Sequence, residues 1–143
     1  MKKVVIIHTS PVSLKDLKAL FKELLPNVEL VNIIDDSLLE EVKRNVGLTP
    51  AIITRMNNYV HIAEDLGADL IFNQCSSVGE AFDLACKQVK CLTLKVDKPM
   101  ARKAVSLGSK IAVIATVESP VRPSVNNVIN TAKDMNKEVE VNE

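Results

Sequence analysis

Residues 70–80 read LIFNQCSSVGE, an apolar run that turns polar at Asn73 and leads into a segment with helical spacing. A short apolar run of this kind predicts a buried strand. The apolar residues that follow, Val78, Phe82 and Ala85, recur at the spacing of one helix face. A strand that leads directly into a helix is the repeating unit of α/β proteins with a parallel sheet, so this stretch predicts that fold class.

The same alternation of strand and helix extends along the chain in both directions. Apolar runs predict strands at Val4–Thr9, Val28–Ile34, Leu70–Cys75, Cys91–Val96 and Lys110–Thr116, with a further strand beginning at Glu138–Val141. Helical spacing predicts helices between them, at about residues 14–24, 37–45, 50–66, 78–89 and 99–107, and from residue 123. The sequence therefore predicts a three-layer α/β fold, with a parallel sheet and helices on both faces.

Composition narrows the possible partners and compartments. The chain has 143 residues, 47% of them hydrophobic but only 3% aromatic, which suits the aliphatic core of a parallel sheet. Its 18 basic residues are balanced by 18 acidic ones, whereas a nucleic-acid-binding surface needs clustered positive charge. The apolar run of the first strand stops at His8, too early for a signal core or a membrane span. Three cysteines in no paired motif favour a reducing, cytoplasmic setting, and no motif has metal-ligand spacing.

Cys75 is the residue most suited to chemistry. It stands where a strand ends and a helix begins, and the amino end of a helix favours a thiolate and can hold a carboxylate or another anion. Ser76 and Ser77 add hydroxyl groups and can cap the helix. The alternative is that Cys75 is a small buried hydrophobic residue, which is the interpretation we prefer for Cys86 and Cys91.

Other polar residues at strand ends have simpler explanations. His8 could act as an acid or base, but a histidine held by hydrogen bonds is an equal alternative. Asp35, Asp36 and Asp97 end strands and could bind a metal or a substrate amine, but capping of the helices that follow is the simpler expectation. The hydroxyl-rich loop from residue 8 to residue 13 lacks the glycines of a flavin-phosphate loop, although it could donate hydrogen bonds to a small acid. Position 81 is Ala, which excludes a low-molecular-weight phosphatase loop, and no P-loop or GxGxxG motif is present.

Four segments in order along the chain carry a family resemblance. They are residues 32–39 (NIIDDSLL), 75–81 (CSSVGEA), 96–101 (VDKPMA) and 111–116 (IAVIAT), the last followed by Ser119 and Pro123. Together they resemble one branch of the Asp/Glu/hydantoin racemase superfamily. The resemblance implies two similar α/β domains with the active site in the cleft between them. Here a first domain would span residues 1–97 and an incomplete second domain residues 98–143.

The resemblance also implies a mechanism without pyridoxal phosphate, metal or other cofactor. One cysteine removes the α-proton of a small amino or carboxylic acid, and a second cysteine reprotonates the opposite face. Carried over to this sequence, the first acid/base is Cys75. The substrate-binding residues implied are Thr9, Ser10, Ser76, Ser77, Thr116 and Ser119.

The sequence departs from the family pattern in one respect. The family's second cysteine lies in the other half of the molecule, and neither Cys86 nor Cys91 is placed to replace it. We expect either a fragment or a natural short form, and we expect exposed apolar surface that favours a homo-oligomer. A carboxylate-binding or dimerising domain without catalysis, or a cysteine-dependent hydrolase or lyase, stays an alternative. The identity of the substrate stays open.

Overall fold

The computed structural model describes residues 1–143 and contains six strands, six α-helices and a 3-10 turn. The strands are β1 (Lys2–His8), β2 (Val28–Ile34), β3 (Leu70–Asn73), β4 (Leu92–Lys95), β5 (Lys110–Ala112) and β6 (Glu140–Asn142). The helices are α1 (Leu14–Leu24), α2 (Ser37–Asn45), α3 (Pro50–Asp65), α4 (Gly79–Cys86), α5 (Lys98–Leu107) and α6 (Val121–Asp134), and the 3-10 turn spans Ser76–Val78.

The first four strands form one parallel sheet in the order β2-β1-β3-β4. The chain moves from β1 to β2 in one direction and then returns past β1 to β3 and β4. Because βαβ crossovers are right-handed, this reversal puts α1 on one face of the sheet and α3 and α4 on the other. The predicted α/β fold, with a parallel sheet flanked by helices, is confirmed.

The main core lies between the sheet and the helices α3 and α4. Val5 and Ile7 of the central strand are fully buried there, together with Ile52 and Met56 of α3 and Phe82 of α4. Burying one such aliphatic or aromatic side chain contributes roughly 1.5–3 kcal/mol, so this layer is the main source of stability.

A smaller second cluster follows α5. It consists of Ala101 and Val105 of α5 with Val128 and Ala132 of α6, beside the two-stranded parallel sheet β5–β6. The predicted domain boundary at residue 97 falls between β4 and α5. That boundary stays a prediction.

Two helices show how local signals set their ends. Thr49 Oγ1 accepts a hydrogen bond from Ile52 N at 3.3 Å, Pro50 occupies the first turn of α3, and Gly67 follows the helix with φ +77°. A cap, a proline and a glycine at these positions are what the sequence indicates for α3. Ser13, in contrast, makes no side-chain cap hydrogen bond, and α1 has no fully buried residue.

The predicted strand at Lys110–Thr116 is wrong in its second half. β5 ends at Ala112, because β6 pairs only with Lys110, Ile111 and Ala112. Ile114 is 93% exposed, so the apolar run continues as a loop instead of a strand. No helix combines the length and the apolar character needed to cross a membrane.

Candidate functional site

The crevice where the sheet reverses its strand order is the place where ligands bind in open α/β sheets. Here it lies between the carboxyl ends of β1 and β3. Ile7 is the register partner of Asn73, and Gln74 N donates a hydrogen bond to Ile7 O at 3.2 Å. Thr9 and Cys75 each follow this pair by two residues, so both stand at the crevice.

Asn73 holds the backbone of Cys75 in place. The Asn73 side chain is fully buried, its Nδ2 donates to Cys75 O at 2.9 Å, and its Oδ1 accepts from Cys75 N at 3.3 Å. Cys75 itself is half-buried and extended, and the 3-10 turn and α4 follow it directly. The residue therefore precedes the amino end of a helix, where unpaired N–H groups favour negative charge.

The two serines after Cys75 do not cap α4. Val78 occupies the N-cap position of α4, and no side-chain cap hydrogen bond is formed there. Ser77 is 4% exposed, and its Oγ lies 3.1 Å from Oγ of Ser119, in the loop that precedes α6. The hydroxyl that could cap the helix instead joins the Cys75 loop to the loop between β5 and α6.

A cavity of about 800 Å³ opens beside this pair of serines. Its walls come from α2 and the segment after it, from Ser77 and Glu80, and from residues 117–126. Lys43 lines the cavity but is paired with Glu40 at 2.8 Å. Arg122 also lines the cavity, and it forms no ion pair and no hydrogen bond through its side chain. Arg122 is therefore the cation best able to bind an acidic ligand there.

The other predicted binding residues are arranged less closely. Thr9 is 2% exposed, and Ser10 Oγ accepts a hydrogen bond from Val12 N at 3.2 Å. Ser76 is half-buried within the 3-10 turn, and Thr116 is exposed in the loop after β5 with no side-chain hydrogen bond. The structure thus joins Ser77 to Ser119 and puts Thr9 and Cys75 after the ends of neighbouring strands, but it brings Thr116 to no partner.

A network around Asp35 lies at the carboxyl end of β2 and was not predicted. Arg55 Nη1 donates to Asp35 Oδ2 at 3.0 Å, Tyr59 OH donates to the same oxygen at 2.7 Å, and a second Arg55 nitrogen pairs with Glu41. Ser37 N donates to Asp35 Oδ1 at 3.0 Å, although Asp35 lies one residue before Asp36, the N-cap residue of α2. Burial would raise the pKa of Asp35, but the hydrogen bonds from Ser37 and Tyr59 and the charge of Arg55 lower it overall.

The expected capping role is wrong for Asp36 and Asp97, the N-cap residues of α2 and α5. Asp36 and Asp97 each precede a helix, but neither side chain makes a cap hydrogen bond. The backbone N–H of Ser37, the first residue of α2, is already paired, because it donates to Oδ1 of Asp35, the residue before Asp36. Asp97 is 7% exposed, and its Oδ1 has no hydrogen-bond partner.

The remaining titratable candidates have structural explanations. His8 is fully buried, and its Nε2 lies 2.9 Å from Asn32 Oδ1. Burial raises the pKa of the Cys86 thiol to about 11, and burial together with the nearby charge of Glu64 raises the pKa of Cys91. Both shifts disfavour the thiolate, which agrees with a place beside the core for these two cysteines. No group of three or more histidine, cysteine or acidic side chains is arranged to hold a metal ion.

Comparison with known proteins gives structural matches only. No family model and no curated protein matches the sequence. The fold matches glutamate racemase from Aquifex pyrophilus with a TM-score of 0.69 and 20% identity, over 97% of this chain and 54% of that chain. It also matches the aspartate racemase of Picrophilus torridus with a TM-score of 0.63 and 17% identity, over 99% of this chain and 62% of that chain.

These likenesses confirm the racemase-like fold that the resemblance in sequence implies. At identities of 20% and 17% they establish the fold alone. The chain spans between about half and three-fifths of the length of these two enzymes.

Proposed function

We propose that this chain is a racemase-like protein of the Asp/Glu/hydantoin racemase superfamily, an isomerase that acts on a small amino or carboxylic acid without pyridoxal phosphate or metal. The observation that carries the proposal is the position of Cys75 in the crevice between β1 and β3. Fold likeness to two amino-acid racemases supports it. The three unpaired cysteines favour a reducing compartment such as the cytoplasm.

The proposed chemistry is proton transfer at the carbon next to a carboxylate. The thiolate of Cys75 takes the α-proton, and the electron pair left behind spreads onto the carboxylate of the substrate. Hydrogen-bond donors at the carboxylate stabilise this charge as it develops. In this chain the candidate donors are the hydroxyls of Thr9, Ser10, Ser76, Ser77, Thr116 and Ser119 and the guanidinium of Arg122. The second part of the reaction, return of a proton to the opposite face, needs a second acid.

If Cys75 is the only acid/base, a specific pattern of hydrogen exchange is expected in deuterated water. A single thiol returns hydrogen to the face from which it took it, so the α-proton exchanges with deuterium while the configuration is retained. A second acid on the opposite face gives exchange with inversion. Exchange and inversion measured together therefore distinguish one working acid/base from two.

The test incubates the full chain in deuterated water with aspartate, glutamate or a hydantoin, each as a single enantiomer. Proton NMR reports α-deuteration, and chiral chromatography reports inversion. We expect α-deuteration of at least one acid, and we expect Cys75→Ser to reduce its rate by at least about 100-fold, as is typical when a catalytic acid/base is removed.

Cys91→Ser is the matched control, because Cys91 immediately precedes β4 and the thiolate form of its side chain is disfavoured. The control should exchange at the rate of the natural sequence. Equal rates for the natural chain and Cys75→Ser would overturn the proposal.

A non-catalytic carboxylate-binding domain is the second candidate, favoured by one observation. Cys75 is not among the residues that line the 800 Å³ cavity, whereas Ser77, Ser119 and Arg122 are. On this alternative, aspartate or another small acid binds without α-deuteration, and Arg122→Met weakens binding while Cys75→Ser does not. A cysteine-dependent hydrolase or lyase would instead leave a covalent adduct on Cys75, which mass spectrometry of the intact chain detects.

A further inference from the structure

The wall of the 800 Å³ cavity carries unpaired charges of both signs. Arg122 and Glu118 both line it and are exposed, and although they are close in sequence their side chains do not pair with each other or with another residue. Glu80 also lines the cavity, where it accepts a hydrogen bond from Asn126 Nδ2 at 2.6 Å but forms no ion pair. Apart from Lys43, which is already paired, the wall therefore offers one positive and two negative charges.

The same wall has apolar surface that the fold does not cover. Val46 is 89% exposed, Val117 is 53% exposed and Leu48 is half-buried. Val46 and Leu48 come from the segment between α2 and α3, whereas Val117 comes from the loop between β5 and α6. Both segments that form the cavity therefore present apolar side chains as well as charged ones.

Val46 is the observation that points to an apolar ligand. It ends α2 in the left-handed region of the backbone, with φ 51° and ψ 41°. Glycine and asparagine are the usual residues there, because a β-branched side chain crowds the backbone in that conformation. Packing of the side chain does not offset this strain, since the side chain lies almost wholly in solvent. An apolar group bound in the cavity would cover it.

We propose that this cavity binds an α-amino acid with an apolar side chain, in preference to aspartate or glutamate. The inference rests on the proposed function, whose substrate it specifies. The α-carboxylate of the ligand pairs with Arg122, and its α-ammonium group pairs with Glu118. The apolar side chain contacts Val46, Leu48 and Val117. The volume lies in the upper part of the roughly 300–1,000 Å³ typical of sites for drug-sized ligands, so a side chain as large as that of leucine or phenylalanine can enter.

Charge separates this class of ligand from the acidic amino acids. A zwitterion with an apolar side chain carries one group of each sign, which Arg122 and Glu118 match. Aspartate and glutamate bring a second carboxylate, and Glu80 repels it. The other cation of the wall, Lys43, does not offset this repulsion, because it is already paired with Glu40 at 2.8 Å.

The test measures binding separately from proton transfer. Isothermal titration calorimetry on the full chain gives dissociation constants for leucine, phenylalanine, aspartate and glutamate, each as both enantiomers and at constant ionic strength. We expect leucine or phenylalanine to bind about tenfold or more tightly than either acidic amino acid.

Two variants test the two parts of the wall. Val46→Gly removes the apolar side chain but suits the left-handed backbone, so the variant should fold and should raise the dissociation constant for leucine by about threefold or more. Glu118→Gln removes the charge that pairs with the ammonium group and should raise that constant by about tenfold. Val12→Gly and Glu138→Gln are the matched controls, because both residues are exposed outside the cavity. Neither control should change the constant.

Three results would overturn this proposal: no saturable binding of leucine or phenylalanine, binding of aspartate or glutamate that is equally tight, or the same constant for leucine in Val46→Gly and Glu118→Gln as in the natural sequence. The deuterium-exchange assay keeps its failure apart from that of the proposed function. Apolar amino acids that bind without α-deuteration support the binding preference and contradict the catalytic function. Deuteration of aspartate by a chain that does not bind leucine or phenylalanine supports the catalytic function and contradicts the preference.

Discussion

At the scale of single residues, the side chains around Asp35 show how the chain fixes the loop after β2. Asp35 is reached from two helices at once, by Ser37 at the start of α2 and by Arg55 and Tyr59 from α3. Its side chain is 13% exposed, so these contacts are only partly screened by water. The loop beside the crevice is therefore held by charge as well as by packing.

Tyr59→Phe tests this arrangement. The change removes the hydroxyl that donates to Asp35 Oδ2 at 2.7 Å and should lower the free energy of unfolding by about 1 kcal/mol at pH 7. The folded-state pKa of Asp35 is lowered, so the stability that its charged form contributes is complete above the ordinary pKa of 3.8 and is lost as the pH falls through the lower folded value. Urea unfolding of both proteins from pH 7 to pH 3 checks the expectation that the difference narrows in acid. A difference that stays constant over this range would show that the charge of Asp35 is not involved.

At the scale of secondary-structure elements, α3 and α1 differ in how their first turns are satisfied. Thr49 caps α3 through a hydrogen bond from Ile52 N, whereas Ser13 precedes α1 without one. Several residues of α3 also belong to the main core, and none of α1 is fully buried. α3 is consequently the better anchored of the two helices.

Thr49→Ala and Ser13→Ala form a matched pair for this difference. Removing the Thr49 hydroxyl should lower the free energy of unfolding by about 1 kcal/mol, the usual effect of losing an N-cap. Ser13→Ala should change it by less than about 0.5 kcal/mol, because no cap hydrogen bond is lost. Chemical denaturation followed by circular dichroism measures both, and equal effects would contradict the assignment of the caps.

Elements with strong local signals could be predicted from the sequence. The bounds of β2 and α2 are as expected, and Thr49, Pro50 and Gly67 mark α3 because caps and stops act on the adjacent turn. The end of β5 could not be predicted in this way, since it depends on how far β6 extends beside it.

The residues of the candidate site also differ in whether a local sequence pattern predicts them. Cys75 follows from a strand that leads into a helix. Arg55 and Tyr59 do not follow from any local pattern, because their partner Asp35 lies at least 20 residues earlier in the chain. The contact between Ser77 and Ser119, 42 residues apart, likewise depends on tertiary packing.

At the scale of the whole molecule, the two faces of the first sheet are covered unequally. Val5 and Ile7 face the core with α3 and α4, while the register partners Val4, Leu70 and Leu92 share the opposite face. On that side Leu92 is 72% exposed, and Leu20 and Leu24 of α1 are 47% and 63% exposed. Exposed leucines on this side of the sheet favour association.

Leu24→Lys tests the homo-oligomer that the sequence predicts. A charge on α1 should shift the chain towards monomer, because burying an unpaired lysine at an apolar contact is unfavourable. Leu107→Lys is the control, since Leu107 is 78% exposed at the end of α5. Sedimentation velocity over a range of concentrations measures the association. A natural chain that stays monomeric at the highest concentration would refute the expectation.

The central position of β1 also has a consequence for synthesis on the ribosome. β1 pairs with β2 on one side and with β3 on the other, and about 60 residues separate the end of β1 from the start of β3. At a translation rate of 5–20 residues per second, β3, the second strand that pairs with β1, is synthesised roughly 3–12 s after the apolar residues Val4–Ile7. During that interval the nascent strand has one open edge, so this segment is where a chaperone that binds extended apolar chain would first engage the newborn polypeptide.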